Sequence, residues 1–387
     1  MNTKIFEPIK IKNKLIPNRL FAQAMEGNDS ENGGHPSART LNRYANFAQG
    51  KWGVVIVEAT SIIETSLARV NGMIINKKNL DSFKRLTKIF RQNNGESLLL
   101  LQITHSGQQS GPFSDITTLT PCGDSKQRHI SGDEVAQIRD RFIEGAFLAE
   151  QAGFDGVDLK MCHGYFGAEM LRPSNTRDDQ WGGSFENRTR FLSEIVGGIK
   201  SGLANSGFIL GSRISIYEGI RGGCGTAGAD EIIEDLSQMH DVIRLMDRLG
   251  MDYINVSAGV PAITGTITRP TETSKYLFLH HLRYAKGVKD LVKKENLNLK
   301  VIGSAYSTYR AQAMDMAEDM LRADNVDLCG FGRQIFADPL TPKKLAAGEK
   351  INWCILCSGC TKLMLAQLND GCIVYDDYYK EINKSCK

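Results

Sequence analysis

Eight short runs of apolar, largely branched residues recur along the chain. They are Leu20 to Met25, Val54 to Glu58, Leu98 to Ile103, Gly156 to Lys160, Ile209 to Ile216, Tyr253 to Ser257, Lys300 to Ser304 and Val326 to Phe331. Most are continuous rather than alternating, as expected of parallel strands covered on both faces. Between them lie stretches with 3- and 4-residue spacing of apolar positions. Glu134 to Ala152 sets Val135, Ile138, Phe142, Ala146 and Ala149 on one face, and Phe185 to Ile199, Asp230 to Leu249 and Arg310 to Leu321 follow the same rule. Eight strand-then-helix units are the number that closes a parallel barrel, with helices outside and no free edge. An open doubly wound sheet is the alternative, and the lack of a Gly-x-Gly-x-x-Gly at the first strand-to-helix turn counts against it. The predicted fold is α/β, a single-domain (β/α)8 TIM barrel over residues 1–350, followed by a short Cys-rich extension over 351–387 packed on the barrel.

Composition narrows the function classes. The 387 residues are 41% hydrophobic and 24% charged, with a net charge of +3. No concentrated cationic stripe suggests a nucleic-acid surface. The longest apolar runs fall far short of the ~18 residues that a membrane helix needs. No apolar signal core opens the chain. A soluble, cytoplasmic enzyme acting on small molecules is expected.

In a barrel of this kind chemistry gathers at the carboxyl ends of the strands. Those ends carry Ala24-Met25-Glu26, Glu58-Ala59-Thr60, Gln102 with His105, Lys160 with His163 and Tyr165, Arg213, Ser257, Ser304-Ala305 and Gly332-Arg333. The loops after strands 7 and 8 are the usual phosphate cradle of the fold, so a phosphorylated cofactor or substrate is expected there. Four of the nine cysteines, Cys354, Cys357, Cys360 and Cys372, crowd into one 19-residue stretch; the others, Cys122 and Cys386 among them, are scattered. In a reducing compartment such a cluster suggests metal binding before disulfides. Four thiolates suit a [4Fe–4S] cluster or zinc, and the alternative is an empty, structural loop.

The segment from Gly153 to Phe191 holds His163-Gly164-Tyr165, Asn175-x-Arg177-x-Asp179, Trp181-Gly182-Gly183-Ser184 and Glu186-Asn187-Arg188-x-Arg190-Phe191. With Phe6-Glu7-Pro8, Asn18-Arg19, the Gln102 to Gly107 stretch and Gly330-Phe331-Gly332-Arg333, it resembles the Old Yellow Enzyme family of FMN-dependent NAD(P)H oxidoreductases. The resemblance implies FMN, with NAD(P)H as hydride donor. Gln102 would meet the pyrimidine edge, Arg213 the N1/O2 side, and Ala24, Met25, Glu26 and Ala59 the ring. Ser304, Ala305, Gly332 and Arg333 would hold the phosphate. It further implies reduction of an electron-poor alkene such as an α,β-unsaturated carbonyl. Tyr165 would be the proton donor, since a phenol is ordinarily protonated at neutral pH. His163 and Lys160 would stabilise the carbonyl oxygen.

Two positions depart from the family pattern. Lys160 stands where relatives usually carry His, and favours an anionic substrate. Glu26 stands where Thr or Cys is usual, and either tunes the flavin or pairs with a nearby cation. Lys160 is equally a candidate buried partner of Asp158 or Glu169. His105 and Cys162 suit packing around the pocket, Arg188 and Arg190 suit anchoring of the loop after strand 4, and His280 and His281 suit a helix surface. The Cys spacing is similar to that of the dienoyl-CoA reductase and trimethylamine dehydrogenase branch, whose members continue into a second flavin and nucleotide domain. With the chain ending at Lys387, an external electron donor is expected, and an oligomer is compatible. Two other function classes stay open: a Schiff-base lyase or aldolase using Lys160, and a non-catalytic redox module built on the cysteines.

Overall fold

A run buried on both faces has to be paired on both edges as well, and closure into a ring achieves this without exposing a strand edge. In the computed structural model, which describes residues 3–120, 126–203 and 206–385, the eight runs do close. Cys122 and Cys386 lie outside the described residues. The strands are β1 (Leu20–Ala22), β2 (Val54–Ser61), β3 (Leu98–Thr104), β4 (Gly156–Met161), β5 (Ile209–Tyr217), β6 (Tyr253–Ala258), β7 (Lys300–Gly303) and β8 (Leu328–Phe331). Each pairs in parallel with its sequence neighbours, and β8 pairs with β1. The eight-stranded parallel barrel is the expected fold.

Two apolar layers follow from the alternation of side chains along each strand. Phe21, Val54, Ile56, Leu98, Leu100, Ile209, Tyr253, Ile302 and Leu328 fill the barrel. Its floor is a hairpin of Ile9–Ile11 and Lys14–Ile16 that inserts Ile11 and Ile16 among them. Val55, Val57, Leu99, Leu101 and their equivalents face outward against the helices. These are α1 (Ala38–Gln49), α2 (Leu80–Asn93), α3 (Gly132–Gln151), α4 (Phe185–Leu203), α5 (Ser237–Arg248), α6 (Phe278–Lys294), α7 (Ala313–Arg322) and α8 (Thr341–Ala347). The stripe of Val135, Ile138, Phe142, Ala146 and Ala149 is buried as expected, and Ser131 with Glu134 forms a reciprocal cap at the start of α3.

Two helices start later than their periodicity predicts. Residues 230–236 precede α5 in an extended turn, where Thr226 bridges Glu234 and the Tyr217 hydroxyl donates to Ile232 O. Before α7 the chain runs as a 3-10 segment, Tyr306–Gln312, interrupted at Arg310, whose φ is 54°. His281 corrects a surface expectation. It is buried, its Nε2 lies 2.8 Å from Ile267 O, and Ser304 Oγ is 3.3 Å from its Nδ1. His280 is exposed as expected. Among the described residues no helix is long and apolar enough to cross a membrane.

The C-terminal extension carries α9 (Gly359–Leu365) and α10 (Asp377–Ser385). It is tied to the barrel mouth. Asp370 N donates to Gly27 O at 2.7 Å, Asn28 Nδ2 to Leu368 O at 3.0 Å, and the Arg39 guanidinium lies 3.3 Å over the Tyr378 ring.

Candidate active site

The carboxyl ends of the strands open on one cleft. Its walls bring together Ala24, Met25, Glu26, Gln102, Lys160, His163, Tyr165, Arg213, Ser304, Ala305, Gly332 and Arg333 from distant parts of the sequence. Ala59 is displaced from this set: it lines a smaller pocket behind Glu26 and Arg69. The reason lies in β2, whose register slips between Val57 and Thr60. Such a bulge re-aims the side chains at a strand end. It lets Glu58 reach Arg43 Nη2 at 2.7 Å and accept the Gly27 N–H at 2.6 Å. The segment carrying Met25 and Glu26 is thereby held from beneath.

One carboxylate organises the cations of the cleft. Glu26 Oε1 stands 3.4 Å from Lys160 Nζ, and Oε2 stands 2.9 Å from Arg69 Nε. The Tyr165 hydroxyl donates to Glu26 Oε1 at 3.4 Å, and Lys160 Nζ lies 3.3 Å from the centroid of the Tyr165 ring. Burial opposes ionisation of Glu26, but Arg69 and Lys160 outweigh it and hold the carboxyl below the usual carboxylate range. Burial likewise opposes charge on Lys160, and Tyr165 and Glu26 reverse it, so the ammonium is held above its ordinary value. A Schiff-base lysine needs the opposite shift. Lys160 therefore pairs with Glu26, not with Asp158 or Glu169. Asp158 instead accepts from Gln102 Nε2 at 2.7 Å and from the Tyr253 hydroxyl at 2.9 Å, and burial raises it to about 6.

The other predicted residues fall into one hydrogen-bonded row. Arg213 Nη1 donates to Gln23 Oε1 at 2.8 Å, and its Nη2 to Ser257 Oγ at 3.2 Å. Ser257 Oγ lies 2.7 Å from His163 Nε2. Burial, with Arg213 and Lys160 nearby, drives the His163 pKa well down, so the imidazole is neutral and offers one N–H. His105 does not reach the cleft; burial lowers it to about 3, and it packs edge-on against Phe166. Cys162 is fully buried filler. Arg188 anchors the β4 loop through Leu171 O and Gln238 Oε1, and Arg190 does so through Gln180 O.

The cleft has the donor set of a flavin phosphate. Among the described residues Arg213, Arg269 and Arg333 bond to amide, hydroxyl, thioether or carbonyl groups and have no carboxylate at ion-pair distance. Arg213 Nε is buried without a partner. These uncompensated cations fit the polar edge of an isoalloxazine and a phosphate better than they fit an empty core. Ala305 adopts φ 71°, in the left-handed region that glycine takes most easily, so the backbone turns as a glycine there would turn it.

The four clustered cysteines share one small pocket with Arg333, and Arg333 and Cys360 also line the main cleft. Burial pushes Cys360 up to about 12 and raises Cys354 and Cys372. Among the described residues no three His, Cys, Asp or Glu side chains are arranged to hold a metal ion.

Sequence reasoning missed Arg69, Arg269 and Asp370, all of which line the cleft. None sits at a strand end or in a motif. Arg69 comes from the long segment after β2, Arg269 from that after β6, and Asp370 from the extension. No spacing in the sequence marks them.

Comparison with known proteins places the chain. Residues 4–352 match the NADH:flavin oxidoreductase / NADH oxidase family. The chain is 26% identical over 374 residues to the NADH oxidase of Thermoanaerobacter brockii, covering 92% of this chain and 53% of that protein. It is 29% identical over 359 residues to the NADPH dehydrogenase of Clostridium acetobutylicum, covering 90% and 96%. A 2-naphthoyl-CoA reductase, solved with 2-naphthoyl-CoA, shares the fold with a TM-score of 0.81 at 22% identity, over 98% of this chain and 58% of that one. The chain thus spans about half the length of several of the relatives it matches.

Proposed function

Since the chain belongs to the NADH:flavin oxidoreductase / NADH oxidase family, we propose that it is an FMN-dependent NAD(P)H oxidoreductase that reduces an activated carbon–carbon double bond. The observation that carries this reading is the convergence of Lys160, His163 and Tyr165 on the cleft walled by Gln102, Arg213 and Gly332-Arg333. FMN, when bound, supplies hydride chemistry at N5. Arg213, beside Gln23 and Ser257, places fixed positive charge at the pyrimidine side, and Arg333 with Gly332 and Ser304-Ala305 receives the phosphate.

The remaining work falls to side chains. Lys160, held charged by Glu26, and neutral His163 present an ammonium and an N–H to an oxygen that gains negative charge as the double bond is reduced. Tyr165 holds the proton for the α-carbon, with Glu26 and Lys160 fixing its ring and hydroxyl. This orientation matters because a general acid must lie within hydrogen-bond reach of its target.

Anaerobic stopped-flow spectroscopy tests the proposal. Protein loaded with FMN is reduced with NADH or NADPH and mixed with 2-cyclohexenone. Alkene-dependent return of the oxidised flavin spectrum is expected, and Tyr165→Phe slows it by about 10²-fold or more. A protein that binds no FMN, or whose reduced form ignores activated alkenes, overturns the proposal.

For Cys354, Cys357, Cys360 and Cys372 the reading is a [4Fe–4S] site. Their crowding into 19 residues, with all four lining one pocket, supports it, because four thiolates match the ligand count of such a cluster. Anaerobically purified protein is expected to carry about four irons per chain, and a stoichiometric zinc content with no iron refutes the cluster.

A further inference from the structure

Behind the cleft wall, one buried row of hydrogen-bonding groups is short of a proton. Ser304 Oγ donates to Val256 O at 2.6 Å. His281 Nδ1 lies 3.3 Å from the same Oγ, and its Nε2 lies 2.8 Å from Ile267 O. Both side chains are buried. The three contacts need three hydrogens, whereas a hydroxyl and a neutral imidazole supply two between them. With the ring hydrogen on Nε2, the Nδ1 lone pair faces an oxygen whose own hydrogen is committed to Val256. With it on Nδ1, the Nε2 lone pair faces a carbonyl. Only the imidazolium fills all three contacts.

The protein by itself supplies no counter-charge for that imidazolium. Burial lowers the His281 pKa to about 4; the bond to Ile267 O opposes the fall, and Arg213 on β5 and His280 on α6 add to it. His163, after β4, feels the same ring, and Arg269 follows Ile267 by two residues. Tyr253 and Lys300 begin β6 and β7, at the ends away from Ser304. On α5 Arg244 pairs with Glu295, and ahead of α6 Lys275 pairs with Glu272. Among the described residues no acid thus acts on His281.

A phosphate would supply what is missing. Ser304 lines the cleft beside Ala305, Gly332 and Arg333, the residues assigned above to the FMN phosphate. A phosphate monoester carries about −1.5 to −2 charges at pH 7, and Arg333 is the one cation of the four. Negative charge is left over next to Ser304, one hydrogen bond from His281. From this arrangement we infer that His281 takes up a proton from solvent when a phosphate binds at Ser304-Ala305 and Gly332-Arg333, so that FMN is selected over unphosphorylated riboflavin by a charge that appears only with the phosphate. The proton passes to the ring nitrogen that lacks one, and no bond to the phosphate forms or breaks. The inference rests on the FMN reading for the phosphate and on the row itself for the proton.

Calorimetric titration of the flavin-free chain with FMN, riboflavin and inorganic phosphate, in buffers of different ionisation enthalpy, counts the protons. Between about pH 5 and 8 the native protein is expected to take up at least about half a proton more per FMN than His281→Gln. Comparing the two proteins cancels the titration of the phosphate itself near pH 6. The native affinity for FMN falls several-fold more steeply with rising pH than that of the variant, and riboflavin shows no such difference. Nitrogen-15 spectra of histidine-labelled native protein, which has seven His, make the test independent of the variant's folding: one ring gains its second N–H with FMN and not with riboflavin. Equal uptake by both proteins, the same excess with riboflavin, or no ring gaining a second N–H overturns the role of His281 and leaves the FMN reading standing. Uptake that depends on His281 with inorganic phosphate, in a protein that binds no FMN, supports the phosphate site and overturns the flavin reading.

Discussion

Replacing Glu26 by Gln removes the one carboxylate that separates Lys160 from Arg69. The pairs measure 3.4 and 2.9 Å, and the three side chains are 16%, 7% and 17% exposed for Glu26, Lys160 and Arg69. At an effective dielectric of about 20, charges at these distances attract by roughly 5 and 6 kcal/mol. Most of that gross attraction offsets the removal of three charged groups from water, so it does not measure net stability. What the substitution exposes is the imbalance left behind, two cations facing each other with no counter-charge. Breaking a buried pair in this way costs about 3–5 kcal/mol, and the Gln oxygen, which still accepts, puts the expectation near 3 kcal/mol. Equilibrium urea unfolding at saturating FMN, followed by circular dichroism, gives the loss. Adding Lys160→Met to Glu26→Gln should return at least about 1 kcal/mol, because the second change removes one of the stranded cations. A loss below about 1 kcal/mol, the scale of a solvent-exposed pair, with no recovery in the double variant, would refute the view that burial gives this triad its strength.

Two further outcomes follow from the groups beneath the cleft. Asp158, raised by burial to about 6 from 3.8, keeps its proton in the folded chain at pH values where the unfolded chain has lost it. Stability from this group is therefore present below about pH 4 and falls by about 3 kcal/mol as pH rises to 6 and beyond; the fall should be missing from pH-dependent unfolding of Asp158→Asn, and an identical slope in both proteins counts against it. Arg43 bridges Asp29 and Glu58 at 2.7 Å each. Arg43→Met should cost about 3–5 kcal/mol at pH 8 and less at pH 5, where the stranded carboxyls take up protons; a deficit that does not change with pH would show that packing, not charge, is what Arg43 supplies.

The barrel was legible in the sequence because its strands are covered on both faces. Continuous apolar runs such as Leu98–Ile103 leave no face for solvent, so count and spacing alone imply closure. The helix starts were less legible. Residues 230–236 carry a helical spacing of apolar positions, yet Ile232 and Ile233 are 50% and 66% exposed, and the segment is held by the Tyr217 hydroxyl and the Thr226–Glu234 bridge. Periodicity reports which side a helix would bury, not whether a tertiary bond takes the segment first. His281 was misplaced for a related reason: its partners, Ile267 O and Ser304, are contributed by other segments.

The site divides along the same line. Most residues at strand ends were readable, since the barrel fixes where a strand end points; Ala59 is the exception, because the slip in β2 turns it into the pocket behind Glu26. Gln102, Lys160 and Arg213 reach the cleft for that reason. Glu26 was readable as a position but not as a role, because its role depends on Arg69, which arrives from a segment whose course no local pattern dictates. Arg269 and Asp370 are the extreme case: a loop residue and an extension residue, each unremarkable in its own sequence context, that come to one cleft only on folding. The scaffold and its chemistry are therefore written in short, local patterns, whereas selectivity is written in pairs that the chain brings together only on folding. It follows that relatives keeping the strand-end residues while varying at 69, 269 and 370 should share the reaction and differ in what the cleft accepts.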